Sequence, residues 1–266
     1  MPLALTLMNR SIAQGEFETI VVQALQPLRQ VTGMGGDRRL SFWEENGIWY
    51  ALQGVRNDAP LGARHVSVSA VTAGGATLTA ADDYTVVAGE FSVTRITLPP
   101  GQEGLLDPTV MNTEWQQLLG ITARVTPARY WDGPFILPAV GPVSDHFGTR
   151  RSYNGGPATD PHQGTDIGAS AGAAVVAANT GKVVFAGEWM VRGNAVIVDH
   201  GQGVFSGYYH MSKILVGVGD TVLKGQIIGN VGETGMSTAP HLHWDMIVQS
   251  AHTSPLLWTT FALPQH

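Results

Sequence analysis

Pro240-His241-Leu242-His243, taken together with His162-Gln163-Gly164-Thr165-Asp166 and Tyr208-Tyr209-His210-Met211, decides how the second half of this chain folds. Successive side chains of a strand alternate between faces, so residues two or four apart project the same way. His241 and His243 therefore share a face, and His162 and Asp166 share one if their segment is extended. Two such pairs on neighbouring strands supply three metal ligands and a spare imidazole. Zinc accepts His nitrogen and carboxylate oxygen, and a catalytic site keeps three protein ligands while leaving the fourth position open. One His, one Asp and one His of the HxH pair satisfy that count.

Each signal alone is weak, since HxxxD arises by chance and an isolated His such as His210 is commonly a hydrogen-bonded structural residue. In this order, inside one Gly-rich β segment, they predict a metal site. Bound zinc lowers the pKa of its water from roughly 15.7 to about 7 and polarises a carbonyl as a Lewis acid. No HExxH motif offers a glutamate base, so the proton-transfer group is expected to be an imidazole. His titrates in the right range, and one positioned group typically contributes roughly 10² to 10⁴ in rate.

From about residue 140 onward the chain resembles the lysostaphin-type (LytM-like) zinc metallopeptidases, a family of peptidoglycan endopeptidases. The matching stretches are Phe147-Gly148-Thr149-Arg150, HxGxD at 162–166, Gly193-Asn194 leading into Val196-Ile197-Val198-Asp199-His200-Gly201, and YxH at 208–210. Gly219-Asp220, Gly225-Gln226 and Ser237-Thr238-Ala239-Pro240-His241-Leu242-His243 complete them. The resemblance implies one zinc ion held by His162, Asp166 and His243, with His210 and His241 as catalytic imidazoles. None of the five is substituted, which the resemblance associates with active members. Which imidazole is the base stays open. Tyr153, before His162, is a candidate hydroxyl for the tetrahedral intermediate, or else a loop Tyr with no chemistry. Arg150 suits a bidentate carboxylate contact to acidic stem peptides, together with Arg151, or else an internal salt bridge such as one to Asp160. Among the other histidines, His146 is a candidate for the cleft wall and His200 is expected to hydrogen-bond at a turn. No role is expected for His65, His252 or His266.

The first half reads as β throughout. Leu40, Phe42, Ile48, Tyr50 and Leu52 flank Asn46-Gly47, a two-residue hairpin signal because both positions tolerate the positive φ of a type I′ turn. Val66, Val68, Ala70, Val93, Ile96 and Leu98 continue a density of short strands expected of an immunoglobulin-like β-sandwich. Near its end Asp107 caps a predicted helix, with Pro108 in the first turn and Met111, Trp115, Leu118 and Leu119 as a packing stripe before Gly120. The expected fold is all-β, with the sandwich over 1–125, an ordered Pro- and aromatic-rich linker over 126–142, and a zinc metallopeptidase domain over 143–266. The last is a compact antiparallel sheet like that of lipoyl carriers. Lys224 is not in a Met-Lys-Met hairpin tip, so a carrier function is not expected.

With 266 residues and a formal charge of −6, neither nucleic acid nor an anionic membrane surface is an expected partner. No cysteine is present, so the fold uses no disulfide. Residues 2 to 8 do not make a signal peptide, and no stretch has the length of a membrane span. Extracytoplasmic action, in the periplasm, cell envelope or secreted, is expected from the implied substrate alone, as is a monomer. The leading expectation is a zinc-dependent endopeptidase cutting cross-links or stem peptides of peptidoglycan. The alternatives are a non-catalytic wall-binding or amidase-activating module that retains zinc, and a zinc peptidase acting on Gly-rich proteins. The bond cut, and whether the first domain targets or inhibits, stay open.

Overall fold

The computed structural model describes residues 3–98, 101, 104 and 107–264, and of Asp160 the backbone alone. His266 lies outside the described residues. The chain divides into two compact units, 1–89 and 90–266. Strand, not helix, dominates both.

In the first unit β1 (Ala4–Leu7), β3 (Phe17–Gln23), β7 (Ile48–Gly54) and β6 (Trp43–Glu45) form one sheet in that order. A second runs β2 (Ser11–Ala13), β9 (Thr77–Val87), β8 (Gly62–Thr72), β4 (Leu28–Gly35), β5 (Arg38–Leu40). Alternation drives this arrangement. Along β8, Val66, Val68 and Ala70 are buried while the residues between them are half-buried, and with Leu7, Ile20, Val22 and Tyr84 they make one core. Asn46 and Gly47 join β6 to β7 with φ of 54° and 83°, the hairpin expected from their sequence.

Glu18 lies fully buried in β3. Its Oε1 accepts the Asn9 and Thr19 N–H groups at 3.1 and 2.9 Å, and Oε2 has no partner. Burial raises its pKa from 4.5 to about 7. The folded state therefore binds a proton that the unfolded chain has released over that interval, so stability falls as pH rises through it. The unfolding midpoint of the full chain's first unit is expected to drop by roughly a few degrees between pH 5 and pH 8. Glu18→Gln flattens this dependence, and an equally steep calorimetric profile in that variant would reject the assignment.

The second unit is built on one antiparallel sheet, in the order β11 (Val143–Asp145), β14 (Thr165–Gly168), β22 (His241–Val248), β18 (Val204–Met211), β17 (Gly193–Gly201), β16 (Gly181–Trp189), β20 (Thr221–Val222). A further strand, β23 (Ala251–Thr253), folds back on β22. Two three-stranded sheets flank it: β10 (Val93–Ile96), β12 (Arg150–Tyr153), β13 (Asp160–Pro161), and β15 (Ala174–Val176), β21 (Ile227–Asn230), β19 (Lys213–Ile214). Val196, Val198, Phe205, Leu242, Trp244 and Met246 are wholly buried, so β17, β18 and β22 form its interior.

The expected division at 125 is corrected here to 89/90. The helix α1 spans Pro108–Thr122, and Asp107 caps it by accepting the Thr109 N–H at 2.7 Å. Its Leu118 is buried among Ile197, Phe205, Tyr209 and Ile247 of the second unit's sheet. Val93 and Ile96, expected in the sandwich, belong to β10 and pair in parallel with Arg150 and Tyr153. The 126–142 stretch is ordered because Trp131 and Phe135 are buried, with ring centroids 6.2 and 5.1 Å from Trp258. It too is part of the second unit. A chain shortened to begin near 130 would thus lose α1 and expose the surface beneath Leu118.

Candidate metal centre

Asp166 on β14 stands directly opposite His243 on β22, and His243 opposite Tyr209 on β18. Cross-strand partners point to the same face, so the register itself brings the carboxylate and the imidazole together. Two residues along β22, His241 joins the same face. His162 would share a strand face with Asp166 only in an extended segment, and β14 begins at Thr165. The segment before it carries His162 in by a turn through Gly164. A Cβ on Gly164 would lie 2.4 Å from Asp245 Oδ1 and 2.5 Å from His243 Nε2, so only glycine lets the backbone come this close.

Three atoms converge: His162 Nε2 and Asp166 Oδ1 are 3.0 Å apart, His243 Nδ1 and Asp166 Oδ1 2.9 Å, and the two nitrogens 3.0 Å. Hydrogen bonds on the far sides of the rings fix what these atoms carry. His162 Nδ1 donates to the His146 carbonyl at 2.9 Å, and His243 Nε2 to Asp245 Oδ1 at 2.6 Å. Each neutral ring then presents a lone pair to the centre. Asp166 Oδ1 is buried with no hydrogen-bond partner. Three such lone-pair atoms facing one another suit a cation. Tetrahedral zinc, with bonds of about 2.0 to 2.1 Å, spaces its ligand atoms at about 3.3 Å, close to the distances found.

The charges agree. Arg151 ion-pairs with Asp145 at 2.8 Å and Asp166 at 2.5 Å, and Asp245 lies behind His243. Three carboxylates less one guanidinium leave two negative charges for a divalent ion to offset. Burial alone would raise Asp166, but His162 and His243 hold it well below the usual carboxylate range. Burial lowers His162. Burial also opposes charging of His243, yet Asp245 and Asp166 outweigh it and raise that ring to about 9 without metal, so proton and cation compete for Nδ1.

His210 and His241 stand beside this triad with ring centroids 4.8 Å apart, and His210 lies 6.1 Å from His243. His210 Nδ1 donates to the Thr234 carbonyl and His241 Nδ1 to the Ala239 carbonyl, both at 2.8 Å. In both rings Nε2 is left with its lone pair, and that of His241 is 3.9 Å from Asp166 Oδ1. Burial, reinforced by His241 and His243, pushes His210 down to about 3, so it is neutral at physiological pH. Its φ of 61° is a left-handed conformation that costs a non-glycine residue of order 1 to 3 kcal/mol, typical of sites that need one particular orientation.

The triad opens on a cleft of about 460 Å³ whose lining includes Tyr153, Arg151, Arg192, Met111, Trp115 and Met236. Tyr153 is thus brought to the site. Arg150 is not among its lining residues: alternation along β12 turns it the other way, where its guanidinium lies 5.4 Å from the Phe91 ring centre. Arg151 is the arginine at the centre. His146 contributes its carbonyl rather than its exposed ring. His200, expected at a turn, is buried within β17 and reaches the Thr180 carbonyl and Ser206 Oγ at 2.8 and 2.7 Å. His252, to which no role was assigned, hydrogen-bonds Asp245 Oδ2 at 3.1 Å. In the helix stripe Leu118 and Trp115 pack on the sheet as expected, while Met111 and one side of Trp115 also line the cleft.

An antiparallel sheet that sets a His-Asp-His donor triad beside two anchored imidazoles has the donor set of a mononuclear zinc peptidase. Residues 160–255 match the model of Peptidase family M23. Over 107 residues it is 39% identical to peptidoglycan DD-endopeptidase ShyA of Vibrio cholerae, covering 40% of this chain and 25% of that one. Over 96 residues it is 45% identical to lysostaphin of Staphylococcus simulans, covering 35% and 19%. The crystal structure of a putative peptidase M23 from Pseudomonas aeruginosa matches 94% of this chain and 96% of its own with a TM-score of 0.69; at 24% identity that likeness shows the fold alone. The chain matches only about a quarter of ShyA and a fifth of lysostaphin.

Proposed function

We propose that this chain is a zinc-dependent endopeptidase that hydrolyses peptide cross-links or stem peptides of bacterial peptidoglycan outside the cytoplasm, acting as a monomer. The observation that carries the reading is the meeting of three lone-pair atoms, from His162, Asp166 and His243, next to two further imidazoles. A purely structural zinc site closes its shell and needs no additional rings. The name of ShyA, a peptidoglycan DD-endopeptidase, supports the substrate. The strand orders β1-β3-β7-β6 and β2-β9-β8-β4-β5 support the immunoglobulin-like reading of the first unit, since they follow the two-sheet order of a variable-type domain.

When bound, zinc supplies Lewis acidity towards a carbonyl oxygen and lowers the pKa of water at its open position. His162, Asp166 and His243 hold it, with Arg151 keeping Asp166 ionised and oriented. His210 and His241 share the proton traffic through Nε2: one accepts the proton of the attacking water, and the imidazolium so formed steadies the developing oxyanion and delivers that same proton to the leaving amine, while the other ring orients the water through its own Nε2 lone pair. Their Nδ1 anchors on Thr234 and Ala239 fix both rings for this work. Tyr153, in the cleft wall, contributes a hydroxyl to the tetrahedral intermediate.

Purified cell walls digested with the full chain are expected to release soluble muropeptides, and a chelator to stop this until zinc is restored. Equal release with and without chelator, measured by mass-resolved chromatography, would reject the proposal.

A further inference from the structure

Behind His243 the contact with Asp245 continues into a buried chain that reaches β23 and α1. Asp245, 1% exposed, accepts His243 Nε2 through Oδ1 at 2.6 Å and His252 Nε2 through Oδ2 at 3.1 Å. His252, 3% exposed, sits on β23 opposite Ile247. On its outer face the Trp115 ring of α1 stacks, with centroids 5.1 Å apart and planes at 23°. The fourth side is closed by Gly164, whose missing Cβ leaves room for Asp245 and His243.

We infer that Asp245 and His252, covered by Trp115, are positioning residues that hold the His243 imidazole in its ligating tautomer and orientation. An imidazole has two nitrogens and two ring orientations, and only one combination offers the Nδ1 lone pair to the triad. Asp245 selects it by taking the proton on Nε2. A carboxylate with one bond can swing about its own axis; the second bond, from His252, stops that rotation. Trp115 keeps water from competing for His252 and so ties α1 to the metal ligand at third hand. Outer partners of this kind are typically worth 10- to 100-fold in metal affinity.

The inference rests on the metal reading of the site but not on its substrate. Zinc affinity of the full chain, measured by competition with a chromophoric chelator, tests it. Asp245→Asn is expected to weaken zinc by about 10- to 100-fold. His252→Phe keeps a ring against Trp115 but donates nothing, and a loss of about 10-fold is expected. His252→Gln, whose amide can donate to Oδ2, recovers most of that loss, and Trp115→Leu loses less than His252→Phe. Thermal unfolding of each metal-free variant shows that the protein measured is folded; should Asp245→Asn not fold, the two His252 variants decide. Wild-type affinity in His252→Phe, or no recovery in His252→Gln, overturns the inference. A wild-type chain that binds zinc tightly but releases nothing from cell walls would remove the proposed substrate and leave these positioning roles standing.

Discussion

Asp166→Ala is expected to leave the chain without bound metal and to cut its hydrolytic rate by on the order of 10⁴-fold or more, to the level of a chelated sample. Three effects converge on this one carboxylate. It supplies the donor shared by both short distances to His162 and His243. It also carries one of the charges that offset a divalent ion. Finally, it gives Arg151 its second partner, and without it a guanidinium remains within reach of the vacated position, which opposes any cation. Asp166→Asn keeps the shape and one oxygen but not the charge, and an intermediate loss of zinc is expected. Metal content by elemental analysis, set beside muropeptide release, measures both. An Asp166→Ala chain retaining one zinc per molecule would mean that the triad is not the ligand set.

The next largest effect is expected at the two free imidazoles. His210→Ala and His241→Ala should each lower kcat by roughly 10²- to 10⁴-fold while zinc content stays that of the wild type, because neither ring supplies one of the three converging atoms. The contrast with Asp166→Ala separates chemistry from metal retention. If the pair handles protons as one unit, the double substitution costs far less than the product of the single ones. Full activity in either single variant, with zinc bound, would show that its ring takes no part. The side chain of His210 is also what makes its left-handed backbone costly, so His210→Gly is the variant that relieves strain without restoring a base. It should be at least as stable as His210→Ala and equally inactive.

At the centre, HxH places His241 and His243 on one face by the strand period, while His162 arrives by a bend before β14 and the isolated His210 is singled out by the resemblance alone. Their surroundings were harder to read. Asp245 continues the alternation of His241 and His243, a signal present in His241-Leu242-His243-Trp244-Asp245, but its meaning depends on His252, which arrives through the β22–β23 pairing. Polar neighbours made His252 look like a surface residue; its burial is tertiary. Arg150 and Arg151 differ only in the phase of β12, and which of the two turns inward is set by the strands beside it. The helix was readable from Asp107, Pro108 and its apolar stripe, but a stripe does not say which sheet it meets. Leu118 sits on the second sheet, and with it the unit boundary moves from the composition change near 125 to residue 89.

Asp166 and His243 face each other across β14 and β22, and β14 is separated from the open edge by β11 alone. An ion gripped by both acts as a rivet between neighbouring strands, locking their alignment against a one-residue slip that would turn every side chain of β14 to the wrong face. Scarcity of that ion would therefore cost the molecule twice, in the hydrolysis proposed for it and in the cohesion of the sheet that carries the site.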